Sequence, residues 1–359
     1  EKYLDWIAGI ATNILGHCHP HVVKAIQDQS KKLIHVSNAV IINEAESLAK
    51  RITDNTFADK VFFCNSGTES VEGAIKIVRR YFHSIGKPEK NRIVSFSGSF
   101  HGRTLAALFL ANNKSHIEGF GPKVEGFDQV PFGDHETLKK AINKNTAAII
   151  CEPIQGEGGV RIVPDHCLKG LREICDEHGI LLILDCVQTS FRTCSLLGFE
   201  NSGVTPDLCC VAKGFGNGFP IGAILLTKKV AKGMTHGSHG TTFGNNLLAC
   251  AATHAVLDVV LAKGFFAEVK TKGEYFDKEL KKLKDNFPKI IEEVRGINFI
   301  KGLKLKVDVN NFMSKLMKNK LLVVKAAENC IRLFPSLLST KDELDMGIKI
   351  MKKTCEEMS

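Results

Sequence analysis

The apolar positions of the chain follow two periods, one typical of strands and one typical of helices. Short apolar runs bounded by turn residues predict buried strands at residues 61–64, 93–96, 147–153, 181–184 and 206–212. Apolar residues three or four apart predict helices between several of these runs, as at Val71, Ala74, Ile75 and Val78. This alternation of strands and helices favours a mostly parallel sheet covered by helices.

Helical periodicity dominates both ends of the chain. Near the start, Pro20 suits the first position of a helix that we expect to reach about residue 33. The apolar stripe predicted for it contains Val22, Val23, Ile26, Leu33 and Ile34. A helix predicted at residues 265–287 carries an apolar face of Phe265, Val269, Phe276, Leu280 and Leu283. Short strand-like runs and a final helix after it indicate a smaller C-terminal unit.

Composition narrows the class of protein. A chain of 359 residues, 44% of them hydrophobic, can form a large domain and a smaller one. The formal net charge is +9, but the lysines are scattered over helix-like segments, which is typical of solvated surfaces. No basic run is interleaved with aromatic residues, so we do not expect nucleic-acid binding, whose affinity would fall steeply with salt.

Cysteine and histidine usage bears on location and on metal binding. The twelve cysteines show no repeated spacing, and no stretch is long and apolar enough to span a membrane or to act as a signal peptide. We therefore expect a cytoplasmic protein with reduced thiols. The chain starts at Glu1 in the middle of a pattern, and we expect residues before it in the full protein. The crowded His17, Cys18, His19 and His21 do not suit a metal ion, and we expect no metal site.

Two predicted strands end in residues of opposite charge. Asp185 ends the run at 181–184, and Lys213 ends the run at 206–212. Ligands of open α/β sheets bind at the carboxyl ends of strands, so both side chains are expected at one pocket. A lysine in a dry pocket can act as an amine nucleophile, and an aspartate can keep a pyridine nitrogen protonated. A plain ion pair would explain the same residues, and these two positions alone do not decide between the alternatives.

Other segments carry groups suited to phosphate or carboxylate. The turn N-S-G-T-E at residues 65–69 has the spacing of a helix cap, and the free N–H groups of such a turn also bind phosphate. Phe100 and Arg103 follow the next strand, where a ring can stack on a flat ligand while a guanidinium binds a carboxylate. An ordinary cap and a solvated arginine are the alternatives. Arg332 lies among apolar residues, where an arginine is costly unless it is paired or binds an anion.

Six ordered motifs together resemble the subgroup-III pyridoxal-phosphate-dependent aminotransferases. They are N-S-G-T-E at 65–69, F-H-G-R-T at 100–104, E-P-I-Q-G-E-G-G-V at 152–160, D-x-V-Q-T at 185–189, A-K-G at 212–214 and H-G-T-T-F at 239–243. The resemblance covers essentially the whole chain. Within this family the sequence is most similar to the enzymes that act on acetylornithine.

The resemblance implies a fold and an assembly. It implies fold type I, with a large domain built on a mostly parallel seven-stranded sheet and a smaller α+β domain. The large, cofactor-binding domain is expected at residues 38–256, and the small domain at residues 1–37 and 257–359. The cofactor implied is pyridoxal 5'-phosphate, and the assembly implied is a homodimer with active sites at the subunit interface.

The resemblance also implies roles for residues at the cofactor ring. Lys213 is expected to bind the cofactor covalently and to carry the proton, while Asp185 pairs with the pyridine nitrogen. Gln188 is expected to reach the ring oxygen, and Phe100 to stack on the ring.

The same resemblance implies residues for the phosphate and for the substrates. Those expected to bind phosphate are Gly67 and Thr68 and, reaching the phosphate of the partner subunit, Thr242. Arg103 is expected to bind the α-carboxylate of acetylornithine, with Thr241 near that substrate. Arg332 is expected to bind the α-carboxylate of glutamate or 2-oxoglutarate, and Glu157 to neutralise Arg332 when the other substrate is bound.

The implied reaction is a ping-pong transfer. The terminal amino group of N2-acetyl-L-ornithine passes to 2-oxoglutarate, giving N-acetyl-L-glutamate 5-semialdehyde and L-glutamate, a step of arginine biosynthesis. A 4-aminobutyrate or a succinylornithine aminotransferase is an alternative, because both share F-H-G-R-T. His101 argues against an ornithine aminotransferase, which usually has tryptophan there. A cofactor-binding scaffold without turnover is the alternative outside enzymes. The residues whose retention argues against it are Lys213, Asp185, Arg103 and Arg332.

The sequence departs from the family pattern around Asp185. Cys186 stands where the family usually has glutamate, and Ser190 stands where it usually has glycine. The loop at residues 191–194 is one residue shorter than usual. We expect these changes to alter the support of Asp185. The aromatic pair usual in the substrate pocket is replaced at residues 39–40, and we expect that change to affect the choice of donor.

Overall fold

The computed structural model describes all residues of the chain, Glu1–Ser359. The strands are β1 (Leu4–Asp5), β2 (Lys60–Cys64), β3 (Arg92–Phe96), β4 (Phe127–Val130), β5 (Thr146–Cys151), β6 (Ile154–Gln155), β7 (Arg161–Ile162), β8 (Leu181–Asp185), β9 (Leu208–Ala212), β10 (Gly222–Leu226), β11 (Ile291–Ile297), β12 (Ile300–Leu305), β13 (Leu321–Leu322), β14 (Val324–Ala326) and β15 (Cys330–Leu333).

Thirteen helices accompany these strands. They are α1 (Ala8–Ala11), α2 (Pro20–Ser30), α3 (Asn43–Thr53), α4 (Gly67–Ser84), α5 (Leu105–Ala111), α6 (Lys114–Ile117), α7 (His135–Ala141), α8 (Asp165–Glu177), α9 (Lys228–Ala231), α10 (Leu247–Val260), α11 (Phe265–Asn286), α12 (Val309–Lys318) and α13 (Lys341–Glu356). Two short 3₁₀ turns lie at Glu200–Ser202 and Lys213–Gly216. α1 is a single turn, and all four of its residues have positive φ.

A seven-stranded sheet forms the centre of the fold, in the order β2-β10-β9-β8-β5-β3-β4. Only β10 runs antiparallel to its neighbours, and the other pairs are parallel. Every residue of β5, β8 and β9 is buried, as expected of continuous apolar runs covered by helices on both faces. The expectation of a mostly parallel seven-stranded sheet of fold type I is confirmed.

A four-stranded antiparallel sheet, β11-β12-β15-β14, forms a second layer with α11, α12 and α13. α11 buries Val269, Phe276, Leu280 and Leu283, four of the five residues predicted for its apolar face. β1 pairs with β13, so the start of the chain packs on this C-terminal part.

The first predicted helix is shorter than expected. α2 ends at Ser30, and the side chain of Gln29 donates to the carbonyl of Leu33 across the turn that follows. Leu33 and Ile34, which we expected in the apolar stripe, are therefore 47% and 55% exposed.

α10 and α11 follow each other at an angle of 74°. No single helix in the structure is long and apolar enough to cross a membrane, whereas these two pass that test when they are taken together by length and composition alone.

Candidate active site

A cavity of about 390 Å³ opens at the carboxyl edge of the seven-stranded sheet. The ends of β2, β3, β5, β8 and β9 contribute to it, because these strands are parallel and finish at one edge. Seven of the eleven predicted site residues line it, namely Gly67, Thr68, Phe100, Arg103, Asp185, Gln188 and Lys213. Its size suits a small organic ligand.

Lys213 begins the 3₁₀ turn directly after β9, with a φ of 47° that non-glycine residues rarely adopt. Burial, and then the nearby positive charge of Arg332, lower the pKa of Lys213 to about 8, against the opposing effect of Asp185. The next residue must be small, because a Cβ on Gly214 would lie 2.9 Å from a methyl group of Ile14. The fold thus holds a strained lysine whose amine loses its proton more readily than an exposed one.

Asp185, the last residue of β8, is 4% exposed and held from two sides. Its Oδ1 accepts a hydrogen bond of 3.0 Å from the backbone N–H of Val187. Its Oδ2 lies 2.8 Å from Nδ1 of His101, whose side chain is fully buried. We therefore assign to His101 the orientation of the Asp185 carboxylate. The sequence analysis used His101 within F-H-G-R-T and as an argument against an ornithine aminotransferase, and it did not predict this contact.

A second buried acid lies at the same cavity. Glu152 is 5% exposed, and its Oε2 accepts a hydrogen bond of 3.0 Å from the backbone N–H of Phe100. Burial, followed by the negative charge of Asp185, raises the pKa of Glu152 well above its usual value. The hydrogen bond to Glu152 fixes the turn that carries Phe100.

The N-terminus of α4 forms another wall. Ser66 caps the helix by accepting a hydrogen bond of 3.3 Å from the N–H of Glu69, as the motif predicted. The hydroxyl of Thr68 accepts a hydrogen bond of 3.1 Å from the backbone N–H of Arg103, which joins this turn to the turn after β3. A Cβ on Gly67 would lie only 2.7 Å from Val187, so the backbone comes close to the cavity. Free N–H groups and the helix dipole favour an anion here.

Arg103 lies at the exposed mouth of the cavity. Its guanidinium carbon is 5.3 Å from the centroid of the Phe100 ring, and its Nη2 is 3.5 Å from Nε2 of His116. Burial, and then the charge of Arg103, lower the pKa of His116, so its neutral ring can accept from the guanidinium. No carboxylate of the chain pairs with Arg103, which leaves it available to a ligand.

Arg332 lies beside the cavity on β15 and is 1% exposed. Its Nη2 is 2.7 Å from a carboxylate oxygen of Glu157 and donates to the carbonyl of Lys325 at 2.8 Å. Its Nη1 lies 3.5 Å from Oε1 of Gln188, which does line the cavity. This cation is therefore at the border of the site, and its acid partner is partly exposed.

Thr241 and Thr242 lie elsewhere. Both line a separate cavity of about 320 Å³, and Thr242 is exposed. Thr241 accepts a hydrogen bond of 3.3 Å from the side chain of Asn65, a residue that both cavities share. Within one chain the structure does not bring either threonine to the cavity of Lys213.

The residues present fit pyridoxal phosphate. The cofactor needs an amine for its aldehyde, an acid for its ring nitrogen and N–H groups for its phosphate. Lys213, Asp185 and the start of α4 meet these three needs around one cavity. Because a Cβ on Gly67 would lie 2.7 Å from Val187, the start of α4 has room for backbone but not for an extra side chain, which suits a phosphate bound by N–H groups.

Comparisons with known proteins give one consistent result. The family described as aminotransferase class-III matches residues 1–355. An acetylornithine aminotransferase from Agrobacterium fabrum is 52% identical over 349 residues, which are 97% of this chain and 88% of that protein.

Solved structures agree with the sequence comparison. N-acetylornithine aminotransferase from Stenotrophomonas maltophilia is similar with a TM-score of 0.86 and 33% identity, covering 99% of this chain and 91% of that one. The ornithine aminotransferase from Toxoplasma gondii is similar with a TM-score of 0.95 and 28% identity, covering 99% of this chain and 86% of that one.

Proposed function

Because the chain belongs to the aminotransferase class-III family, we propose that it transfers the terminal amino group of N2-acetyl-L-ornithine to 2-oxoglutarate through pyridoxal 5'-phosphate. The products are N-acetyl-L-glutamate 5-semialdehyde and L-glutamate, a step of arginine biosynthesis. The main support for this chemistry is that Lys213 and Asp185 line the same cavity. The choice of donor rests on the relatives named acetylornithine aminotransferase, 52% and 48% identical to this chain.

Lys213 is the residue that acts on the reacting atoms. When bound, pyridoxal phosphate supplies an aldehyde that condenses with amines and a ring that draws electrons from the carbon next to the amine. Lys213 Nζ would hold the cofactor covalently, and its amine would be released when a substrate amine takes its place. The released amine then accepts a proton at Nζ and returns it to a neighbouring atom, which its lowered pKa of about 8 makes feasible near neutral pH.

The other residues of the cavity bind and orient. Asp185, held by His101, would keep a proton on the ring nitrogen, and Gln188 would reach the ring oxygen. Phe100 would cover one face of the ring and exclude water from it. The N–H groups and the hydroxyl at the start of α4, from Gly67 and Thr68, would hold the phosphate.

Each of two arginines binds the carboxylate of one substrate. Arg103, without an acid partner, binds the α-carboxylate of N-acetylornithine at the mouth of the cavity. Arg332 binds the α-carboxylate of 2-oxoglutarate, which competes with Glu157 for the guanidinium. Glu157 neutralises Arg332 while N-acetylornithine, whose α-carboxylate is at Arg103, occupies the site, so one site accepts substrates of different charge.

The proposed function includes assembly as a homodimer. Large apolar side chains are exposed beside the Thr242 loop, namely Leu33, Ile34, Val40, Ile41 and Phe243, between 47% and 77% exposed. They are contiguous with that loop, since Asn38 donates to the carbonyl of Thr241 and His35 packs on Phe243. A patch of this kind favours association, and in a dimer Thr242 would reach the phosphate bound by the partner subunit. A monomer in sedimentation velocity would contradict this assembly.

Cysteine chemistry supports a cytoplasmic location. All twelve cysteines are free thiols, and nine of them are buried. Burial raises the pKa of Cys64 to about 12, which keeps such a thiol protonated and inert. Free thiols in this number suit a reducing compartment.

A panel of amino donors tests the function. Glutamate formation from 2-oxoglutarate is measured with N-acetylornithine, succinylornithine, ornithine and 4-aminobutyrate. We expect kcat/KM to be highest with N-acetylornithine and at least about tenfold lower with 4-aminobutyrate, a difference of about 1.4 kcal/mol in transition-state binding. Preference for another donor would reassign the substrate, and cofactor binding without turnover on any donor would indicate a scaffold.

Replacing Arg103 or Arg332 is expected to raise KM for only one of the two substrates. Arg103→Ala should raise KM for N-acetylornithine by roughly 10- to 100-fold, because a charged hydrogen bond is worth about 1.5–3 kcal/mol. Arg332→Ala should raise KM for 2-oxoglutarate by a similar factor and leave KM for N-acetylornithine within a few fold. Steady-state kinetics with each substrate varied in turn measure both.

Arg79→Ala is the matched control for these two variants. Arg79 is a partly buried arginine on α4 that donates to the carbonyl of Asn91 at 3.1 Å, and it does not line the cavity. Its replacement should leave both KM values unchanged. Equal effects of Arg103→Ala and Arg332→Ala on the two substrates would contradict the assignment.

A further inference from the structure

One buried cation has no part in the mechanism described so far. Arg192 is 0% exposed and pairs with no carboxylate. Its Nη1 donates two hydrogen bonds, of 3.0 Å to the carbonyl of Phe299 and 2.9 Å to the carbonyl of Pro335. Its Nε and Nη2 have no partner. A buried charge without an acid partner is costly, and an apolar side chain would fill the same space at lower cost.

The loop that carries Arg192 is itself held under strain. Phe191 and Cys194 have φ values of 65° and 64°, in the left-handed region that bulky residues avoid. The Phe191 ring packs on Phe215, just beyond Lys213, at a centroid distance of 4.8 Å. Strain of this kind persists only where the surroundings fix the conformation, and it is concentrated at functional sites.

The two carbonyls bound by Arg192 belong to the smaller sheet. Phe299 lies in the turn between β11 and β12, and Pro335 follows β15 by two residues. Arg192 itself lies seven residues after the end of β8 in the seven-stranded sheet. Its guanidinium therefore joins the two sheets at the strand that carries Arg332. The Phe334 ring lies against both cations, 5.2 Å from the guanidinium carbon of Arg192 and 5.8 Å from that of Arg332.

The two side-chain contacts that Arg332 makes outside its own sheet, with Glu157 and Gln188, are weaker or open when substrate binds. The ion pair with Glu157 must open when a substrate carboxylate takes its place. The contact with Gln188 is 3.5 Å long. The two hydrogen bonds from Arg192 involve neither Glu157 nor a group that binds substrate, so opening the Glu157 pair does not require them to break.

We propose that Arg192 is a positioning residue for the acceptor substrate: by binding the carbonyls of Phe299 and Pro335, it holds the end of β15 so that Arg332 meets the α-carboxylate of 2-oxoglutarate. This inference rests on the proposed function and adds to it a residue that does not touch substrate. It predicts that the two substrates respond differently, because Arg103 lies in the loop after β3 of the large sheet and does not depend on β15. Burial lowers the pKa of Arg192 to about 9, which still leaves it charged near neutral pH.

Conservative variants of Arg192 in the cofactor-loaded full chain test this role. Arg192→Lys keeps the charge but not the forked donor, and Arg192→Gln is a neutral second variant in case one of them fails to fold. For each, we measure kcat and KM for both substrates. We also measure the dissociation constant of glutarate, a dicarboxylate without an amino or keto group, from the change in cofactor absorbance. This second readout requires binding and no turnover.

We expect Arg192→Lys to raise KM for 2-oxoglutarate and the dissociation constant of glutarate about tenfold. KM for N-acetylornithine should change less than about twofold. Arg172→Lys is the matched control, since Arg172 is also largely buried but pairs with Asp176 and Asp207, and it should change none of these values.

Two outcomes would overturn the proposal. One is an equal rise of KM for both substrates, and the other is a lower melting temperature with unchanged KM values and unchanged glutarate binding. A purely structural role predicts one of these results. If the wild-type protein proves inactive on every donor, the proposed function fails, while glutarate binding by the wild type and by Arg192→Lys still decides the role of Arg192.

Discussion

Lys213→Ala is expected to lower turnover by at least about 10³-fold, the scale of a lost proton-transfer group. No other lysine lines the cavity, so no other amine can replace Lys213 Nζ as the group that moves the proton. The variant should still bind pyridoxal phosphate, because Asp185 and the start of α4 are unchanged. After borohydride treatment, mass spectrometry should find the cofactor attached to Lys213 in the wild type and to no residue in the variant.

The pH dependence of cofactor attachment is a second measurement on the same lysine. An ordinary lysine amine has a pKa near 10.5, and burial lowers that of Lys213 to about 8. The neutral amine reacts, so attachment to the apoprotein should become about tenfold faster per pH unit below pH 8 and level off above it. A rate that still rises steeply above pH 9.5 would show that Lys213 has an ordinary pKa.

Lys301 provides the control for Lys213. It is 2% exposed, and burial lowers its pKa too, but its amine is bound by Asp277 and by the carbonyl of Gly296. Lys301→Arg should therefore keep both turnover and the borohydride product on Lys213. Turnover in Lys213→Ala close to that of Lys301→Arg would disprove the catalytic role of Lys213.

The large sheet was predictable where its strands are apolar throughout. β5, β8 and β9 are buried on both faces, so their sequences are continuous apolar runs. β4 was not predicted, because its sequence F-D-Q-V carries polar residues, one of which pairs with Arg92 of the neighbouring β3. β10 was not predicted either, since its apolar residues follow a segment rich in glycine and proline.

The site was predictable where chemistry coincides with the end of a strand. Lys213 and Asp185 stand out because each charge follows a buried run, and parallel strands bring such ends together. The contact of His101 with Asp185 spans 84 residues of sequence and depends on how two loops pack. The same holds for Arg192, whose partners Phe299 and Pro335 lie more than 100 residues away. Residue types and spacing do not encode such contacts.

Asp185→Asn is expected to lower kcat roughly 10³-fold, the upper range for removing one preorganised electrostatic group. The amide is similar in size and can still accept from the N–H of Val187, so the turn after β8 should persist. It is neutral, however, and cannot stabilise a proton on the ring nitrogen, so the ring no longer draws electrons effectively. The loss should therefore appear in kcat for both half-reactions, because both substrates react at the same ring.

Asp207→Asn separates this effect from the general cost of altering a buried acid. Asp207 is 6% exposed and accepts from the N–H of Leu182 and from Arg172, at the opposite end of the strands. Its substitution should lower the melting temperature more than turnover, with kcat of the folded protein within about threefold of wild type. Asp185→Asn should do the reverse and lower kcat in a protein that still binds cofactor. Similar kcat values for the two variants would mean that the charge at Asp185 does not act on the ring, and the proposed chemistry would then lack its electron sink.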